Sequence, residues 1–272
     1  MSVYDKKVIS IKDVEVSFDI NTGALGENAV ICFGIRKSGS TMLHKIVNQM
    51  AELKGYLPVD IPGVMFSNGL TVSDWKTDKR IGEIFVGGNV YTGFRAFPSL
   101  FSSMPAYKSA RKVFMFRDPR DALVSQYFSD AYSHKIPERE GKGRDLFLAK
   151  REEALNTDIN EYVLTKSAAL RQTCMEYIPL LHDDSCLKLR YEEYVFQKKR
   201  LIFHIAKQYG WELSDDEAES ILKDVDFVPE EENEKRFVRK AIPGDHREKL
   251  EKSTIRKLSH RFGRVLEEFD YY

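Results

Sequence analysis

The chain has little of what marks a metal-bound, disulfide-bonded or membrane-spanning protein. Its three cysteines, Cys32, Cys174 and Cys186, are an odd number and lack the paired spacing of zinc ligands. We expect them to be reduced thiols in the core, and we expect no bound metal. No apolar run reaches the roughly 18 residues of a membrane span, and residues 1–13 lack the apolar region of a signal peptide. These absences predict a cytoplasmic protein without a membrane partner.

An excess of charge of either sign is also missing. The 42 lysines and arginines are balanced by 42 aspartates and glutamates, and no long block of one sign occurs. Because nucleic-acid-binding domains carry a basic surplus, no nucleic-acid partner is expected. A chain of 272 residues buries about three quarters of its unfolded surface, which is enough for a core without disulfides or metals. We predict one domain over residues 1–272, with two small domains as the alternative and a homodimer left open.

Apolar residues recur at helical spacing in several segments and form short strand-like runs in others. Strands that alternate with helices predict the α/β class, with a central, mainly parallel sheet flanked by helices. Residues 56–90 are rich in Gly, Pro, Asp and Ser, and we expect a loop-rich cap there. The predicted helices cover residues 41–53, 158–182, 195–209, the tail from 253 and a segment that starts at Pro119, and the predicted strands cover residues 14–20, 112–116 and 186–190.

Residues 30–41 have the pattern of a strand, a small-residue turn and the start of a helix. Backbone N–H groups at such a turn converge on one point, where an anion gains roughly 0.3–2 kcal/mol from the helix end. In the nucleotide-triphosphatase loop, a lysine follows the second glycine. Here Gly34 and Gly39 have the right spacing, but Ser40 takes the lysine position and Lys37 precedes the glycine. This displacement disfavours an ATP or GTP site.

The loop and four later segments together resemble one family. Residues 36–42, Arg-Lys-Ser-Gly-Ser-Thr-Met, resemble the Pro-Lys-Ser-Gly-Thr-Thr-Trp signature of the cytosolic-type sulfotransferases, which use 3′-phosphoadenosine 5′-phosphosulfate (PAPS) as donor co-substrate. The resemblance implies a P-loop-like three-layer sulfotransferase fold, and a bacterial natural-product branch is one alternative within the family. Residues 117–125, 187–193, 226–233 and 237–245 resemble further family signatures in the same order.

The resemblance also implies a donor site. Arg117 and Ser125 would bind the 3′-phosphate, Tyr191 would lie near the adenine, and Phe227 would stack on it. Arg239 and Lys240 would close over the 3′-phosphate, as their family counterparts do. The donor-binding residues implied in this way are Arg36, Lys37, Ser38, Gly39, Ser40, Thr41, Met42, Arg117, Ser125, Tyr191, Phe227, Arg239, Lys240 and Ala241.

Four positions depart from the family pattern. Met42 stands where the family has a tryptophan that stacks on adenine, Val225 replaces a threonine, and Ala241 replaces a glycine. The most consequential departure is Ala96, which lines up with the histidine that serves as general base in the family segment Lys-Thr-His-Leu-Pro. Another group must therefore remove the acceptor's proton, unless the acceptor is an amine that needs little help.

Two residues are candidates for that base. Asp60 follows the phosphate-loop helix, where some sulfotransferase branches have an acidic base, and His134 lies in the segment after Ser125 that lines the acceptor pocket in the family. An unperturbed imidazole titrates near neutral pH, which suits proton transfer. We favour Asp60 slightly. Lys37 completes the predicted catalytic set, because a lysine at that place would neutralise the leaving oxygen of the donor.

The predicted reaction is transfer of a sulfuryl group from PAPS to a hydroxyl or nitrogen of a small-molecule acceptor, without a metal. Acidic residues in the cap suggest a cationic acceptor. Two other functions compete with this one. A phosphate-loop kinase that uses ATP and Mg²⁺ would need a lysine at Ser40. A catalytically inert module that binds adenosine 3′,5′-bisphosphate is consistent with the missing histidine at Ala96.

Overall fold

The protein, described here by a computed structural model, contains a central parallel sheet and a separate antiparallel hairpin. The structure describes residues 3–24, 26–133, 142–226, 231–234, 236, 239–240 and 242–272. Its strands are β1 (Tyr4–Ile11), β2 (Val14–Asn21), β3 (Val30–Gly34), β4 (Pro58–Val59), β5 (Val90–Phe94), β6 (Arg111–Phe116) and β7 (Cys186–Arg190). Its helices are α1 (Ser40–Leu53), α2 (Ile61–Ser67), α3 (Val72–Trp75), α4 (Ile81–Ile84), α5 (Pro105–Ser109), α6 (Pro119–Phe128), α7 (Lys142–Leu155), α8 (Ile159–Leu181), α9 (Tyr191–Tyr194), α10 (Lys198–Tyr209), α11 (Asp215–Val225), α12 (His246–Lys249) and α13 (Lys252–Glu268).

The central sheet has the strand order β4-β5-β3-β6-β7, and every neighbouring pair is parallel. The register places Cys32 of β3 beside Val113 of β6, and Met115 of β6 beside Leu189 of β7. Because parallel strands share one direction, their carboxyl ends lie at one edge of the sheet, where ligands bind in open α/β folds. The predicted α/β class with a mainly parallel sheet is confirmed.

Alternate residues of the strands enter two different cores. On one face, Val113, Met115 and Leu189 join a buried cluster with residues of α1, α10 and α11. On the other face, Phe33 packs against Phe94, with ring centroids 5.5 Å apart. Burying a large apolar side chain contributes roughly 1.5–3 kcal/mol. Both faces of the sheet are therefore covered, as the near-continuous apolar strands require.

One irregularity interrupts the pairing of β3 with β5. Ile31 pairs with Tyr91, whereas Phe33 pairs with Phe94, so β5 carries one extra residue. Gly93 lies in this bulge with a φ of 85°, a left-handed conformation that favours glycine. Bulges of this kind redirect a strand next to functional sites. This one determines the course of the chain at the carboxyl end of β5.

The chain forms two compact units, and one domain over residues 1–272 stays a prediction. Both sheets belong to the first unit. In the second unit, α6 contacts α12 and α13, and Asp118 caps α6 by accepting from the Arg120 N–H at 2.9 Å. The first unit comprises residues 1–35, 39–116 and 179–226, and the second comprises residues 36–38, 117–178 and 227–272.

Most of the predicted elements are present, but residues 56–90 contain more structure than predicted. They include β4 and the short helices α2, α3 and α4. Local hydrogen bonds start two of these helices: the Gly63 N–H donates to Asp60 at 2.8 Å, and the Thr71 N–H donates to Asp74 at 2.7 Å. Helices this short show no apolar period in the sequence. Strand β1 also lacks a clear pattern, because most of its residues are exposed.

Two further sequence expectations concern thiols and membrane spans. The three cysteines are free and buried, as predicted. Burial raises the pKa of the Cys174 and Cys186 thiols to about 12, so they remain protonated at neutral pH. Among the residues that the structure describes, no helix is both long and apolar enough to cross a membrane.

Candidate active site

The turn between β3 and α1 contains two residues with left-handed backbone. Lys37 has a φ of 67° and Gly39 a φ of 81°. A side chain at Gly39 would be obstructed, since an added Cβ would lie 2.8 Å from Cδ2 of the Tyr191 ring. Tyr191 is buried at the start of α9, directly after β7. The structure thus places the aromatic ring predicted to lie near the adenine against the glycine of the loop.

In the second unit, the loop backbone contacts a buried arginine. Nη1 of Arg117 donates to the Lys37 carbonyl at 3.4 Å, and Nη2 lies 3.6 Å from the Asp121 carboxylate. Arg117 is 8% exposed, although it directly follows the end of β6. A buried guanidinium near the lysine of the loop provides positive charge for an anion.

Asp121 connects α6 to the segment that contains Gly244 and His246. Its carboxylate accepts hydrogen bonds from the Gly244 N–H at 2.6 Å, from the His246 N–H at 2.9 Å, and contacts His246 Nδ1 at 2.6 Å. Burial alone would raise the pKa of Asp121, but the hydrogen bonds from His246 and the charge of Arg117 outweigh it and hold the pKa well below its ordinary value. This ionised carboxylate fixes the chain that follows Arg239 and Lys240.

The two predicted phosphate-binding cations of that segment have acidic partners. Arg239 forms ion pairs with Glu232 and Asp245, and its guanidinium lies 4.1 Å from the centroid of the Phe128 ring. Lys240 Nζ lies 3.2 Å from the Asp245 carboxylate. Asp245 is 2% exposed, so it is a buried counter-charge for both cations. An incoming phosphate would compete with these carboxylates.

Arg36 is also paired within its unit. Its Nη2 lies 2.9 Å from Oδ1 of Asp130, and the Tyr162 hydroxyl donates to Oδ2 of the same carboxylate at 2.6 Å. Asp130 is buried in the turn that follows α6. These contacts give Arg36 a structural role in holding the first part of the loop.

In the first unit, the Asp60 carboxylate lies in a close-fitting space, its seat, between the backbones of Gly63 and Gly93. Two glycines make room for its carboxylate: a Cβ at Gly93 would lie 1.9 Å from Oδ1, and one at Gly63 would lie 2.2 Å from Oδ2. The residue is exposed overall, but its carboxylate packs against these two backbones. This burial raises the pKa of Asp60, while the Gly63 N–H and the charge of Arg95 oppose the shift. A carboxylate with a raised pKa suits a general base.

Arg95 follows β5 and reaches the start of α1. Its Nε donates to Ser40 Oγ at 3.3 Å, and its Nη2 donates to Thr41 Oγ1 at 3.4 Å. His44 lies on the same helix, is 8% exposed, and its Nε2 has no hydrogen-bond partner among the described residues. Burial, and to a lesser degree Arg95, lowers the pKa of His44 to about 3, so the ring is neutral.

The structure brings some of the predicted residues together and leaves others apart. Ser38 is buried in the loop, Met42 packs against the core of the first unit, and Ser125 lies half-buried on α6. His134, Phe227 and Ala241 lie outside the described residues.

In the described part of the chain, no group of three His, Cys, Asp or Glu side chains is arranged to hold a metal ion. Direct contacts between predicted residues include those of Gly39 with Tyr191 and of Lys37 with Arg117.

Several residues around these positions are not predicted by sequence motifs. Arg95 has a usable signal, because it directly follows an apolar strand in the same way as Arg117. Asp130 has none: its partners Arg36 and Tyr162 are 94 and 32 residues away in the chain. Their pairing depends on the tertiary fold.

A parallel sheet whose strand β3 leads through a left-handed turn into α1 defines an α/β protein of the phosphate-loop type. A family model for the sulfotransferase domain matches residues 27–270, and the chain therefore belongs to the sulfotransferase family. This single match includes residues of both units. No curated protein sequence matches the chain significantly.

Two solved structures match nearly the whole length of the chain. One is mouse sulfotransferase SULT7A1 complexed with PAP, with a TM-score of 0.57 and 14% identity over 97% of this chain and 99% of that one. The other is retinol dehydratase in a complex with retinol and PAP, with a TM-score of 0.48 and 14% identity over 100% of this chain and 99% of that one. At this identity the first likeness supports the fold.

We predict that Asp121→Asn destabilises the protein by about 3 kcal/mol at pH 7, because a buried charge network loses its carboxylate. The pKa of Asp121 is depressed in the folded state, so its contribution is complete above the ordinary aspartate pKa near 3.8 and is lost as pH falls below it. Urea unfolding at pH 7, 5 and 3.5 should show a difference that is constant at the higher two values and shrinks at the lowest. The matched control is Asp216→Asn on the exposed side of α11. Equal stability of wild type and Asp121→Asn at pH 7 would contradict this role.

Proposed function

We propose that this sulfotransferase uses PAPS and transfers its sulfuryl group to a hydroxyl or nitrogen of a small molecule. One observation carries the donor assignment. The loop lysine, Lys37, precedes Gly39, and a buried arginine, Arg117, donates to the lysine's own carbonyl. A triphosphate loop would have its lysine at Ser40. The PAP bound in the mouse structure of similar fold supports the same donor.

The described residues fit a bisphosphorylated nucleotide. Arg117, Arg239 and Lys240 are cations of the second unit, and a charge-assisted contact to phosphate is worth about 1.5–3 kcal/mol. Gly39 leaves no space for a Cβ beside Tyr191, so the bare backbone of the loop is available to a phosphate. We assign Arg117 and Ser125 to the 3′-phosphate, and residues 38–41 to the 5′-phosphate. Met42, Tyr191 and Phe227 are proposed for the adenine.

Lys37 is proposed as the main catalytic cation. The donor supplies an activated sulfuryl group, and its leaving oxygen gains negative charge as the bond breaks. A fixed ammonium near that oxygen stabilises the transition state more than the ground state. The left-handed backbone of Lys37 is a strained conformation for a residue with a side chain. Strain of this kind is concentrated at functional sites.

Asp60 is proposed as the general base in place of the family histidine. The seat made by Gly63 and Gly93 fixes its carboxylate, and burial raises its pKa. Asp60 also caps α2 by accepting a hydrogen bond from the Gly63 N–H. One carboxylate oxygen can keep this capping hydrogen bond while the other accepts the proton of the acceptor. The acceptor is proposed to be a small molecule, and the protein to act in the cytoplasm as one sulfotransferase domain.

Thermal denaturation with nucleotides tests the proposed donor. We expect adenosine 3′,5′-bisphosphate (PAP) to raise the melting temperature well above the effect of ATP with Mg²⁺ at equal concentration, since a ligand stabilises the state that binds it. Incubation with PAPS and a metabolite panel, read by mass, should then give a sulfated product. Stabilisation by ATP with Mg²⁺ alone would support the kinase instead. Stabilisation by PAP without any sulfated product would support the inert binding module.

Lys37→Ala should reduce turnover at least about 100-fold, as the loss of a major electrostatic donor does in other enzymes. The assay is sulfate transfer to the best acceptor of the panel. Lys45→Ala is the matched control, because Lys45 is an exposed lysine of α1. Normal turnover in Lys37→Ala would exclude the assigned role.

Asp60→Asn should lower kcat about 100-fold or more, because general-base catalysis contributes 10²–10⁴. In the wild type, kcat/KM should fall on the acid side with a midpoint above the ordinary aspartate pKa of 3.8, since the folded-state pKa is raised and only the ionised form accepts a proton. That acid limb should disappear in Asp60→Asn. The control is Asp78→Asn, at an aspartate that is paired with the exposed Arg80. Loss of turnover in His134→Gln but not in Asp60→Asn would make His134 the base.

A further inference from the structure

A surface groove lies between α8 and α13 of the second unit. Its volume is about 1160 Å³, whereas pockets for small molecules commonly have about 300–1,000 Å³. Leu164 and Ala168 of α8 give it an apolar part. The other lining side chains are basic and come from both helices: Arg171, Arg256, Lys257, His260 and Arg261. The groove thus combines a small apolar surface with concentrated positive charge.

The cations of this groove differ from those of the proposed donor site. Arg239 and Lys240, in the same unit, have carboxylate partners. Arg171, Arg256 and Lys257 form no ion pair with any residue that the structure describes. Arg256 and Lys257 are exposed, and Arg171 is half-buried. Like charges so close together repel one another, and an anionic partner would relieve that repulsion.

The two walls of the groove are fixed to each other. Arg261 Nη1 donates to the Leu164 carbonyl at 2.5 Å, and the Glu251 N–H donates to Asn160 Oδ1 at 2.9 Å. Buried residues of α13, among them Leu258, hold the opposite face of that helix in the core. The groove is therefore formed before a partner arrives, which lowers the entropic cost of binding.

A second depression continues the groove toward the end where both helices begin. It shares three lining residues, Leu164, Lys257 and Arg261, with the basic part. Acidic side chains also line it: Asp158, Glu161 and Glu251. A uniformly negative surface, such as a membrane of anionic lipids, would be repelled by these acids. A peptide segment fits better, because it can concentrate its acidic residues at the basic part alone.

We propose that the groove between α8 and α13 binds a peptide segment of another protein. The segment is acidic where it lies against Arg171, Arg256 and Lys257, and apolar where it lies against Leu164 and Ala168. The charges would set the rate and specificity of association, and the apolar contacts would add buried area. None of the lining residues belongs to the proposed donor site or is the proposed base. Binding here is therefore independent of the proposed function.

Fluorescence anisotropy tests this with a fluorescein-labelled peptide of repeated Glu-Glu-Leu-Ala units, and with repeated Lys-Lys-Leu-Ala units as the control probe. The wild type should bind the acidic peptide and not the basic one, and added NaCl should weaken binding because exposed charges are screened. Arg256→Glu combined with Lys257→Glu should weaken binding about 10-fold or more. The matched control combines Lys6→Glu with Lys7→Glu, an equal change of charge on exposed residues of β1. It should bind as the wild type does.

Ala168→Phe separates the groove from the surrounding charge, because it fills the apolar part and leaves every charge in place. Loss of binding in this variant supports the groove, and unchanged binding overturns it. Melting curves establish that the variants are folded. If Ala168→Phe is not, Arg171→Glu on the other wall decides: weaker binding supports the proposal, and unchanged binding opposes it. Sulfate transfer should be normal in the double variant at 256 and 257.

Three further outcomes would overturn the proposal. The first is that the wild type does not bind the acidic peptide at low salt. The second is that it binds vesicles of phosphatidylserine and phosphatidylcholine but not the peptide, which would make this face a membrane-binding surface. The third is that sedimentation shows a dimer of the wild type and a monomer of the double variant at 256 and 257. In that case a second copy of the chain covers the groove.

Discussion

The parallel register of the central sheet is the constraint on which the remaining organisation depends. Because β3, β5, β6 and β7 point the same way, each strand delivers the next residues of the chain to one edge. In the first unit, this edge is followed by Arg95 after β5 and Tyr191 after β7, and the ring of Tyr191 lies against Gly39 at the start of α1. Segments far apart in sequence are therefore brought to one edge of the sheet.

The second unit neutralises several of its own cations with buried acids. Arg36 pairs with Asp130, Arg117 lies beside Asp121, and Arg239 pairs with Asp245. Buried charges are costly unless they are paired, so these acids make the cations tolerable before an anion arrives. The same acids weaken binding of an anionic ligand, since the ligand must compete with them. The equal numbers of acidic and basic residues in the sequence are thus matched by ion pairs within the second unit.

The sequence predicts the fold more completely than the site. Long apolar periods identify α1, α8 and α13, and apolar runs identify β6 and β7, because burial imposes those patterns. The loop motif identifies Lys37 and Gly39 because the spacing from Gly34 and the resemblance to the family signature are both visible in the sequence. The seat of Asp60 is different. It needs Gly63 and Gly93 to lie on either side of one carboxylate, and nothing in the spacing of these residues shows that β5 passes there.

The bulge at Gly93 links two positions that are 33 residues apart. A Cβ at Gly93 would lie 1.9 Å from the Asp60 carboxylate, so a carboxylate seated there excludes every side chain from this place in the strand. In a variant with a side chain at 93, the Asp60 carboxylate would have to move out of this space. The two positions are therefore coupled: a change at 93 alters where the acid at 60 can lie.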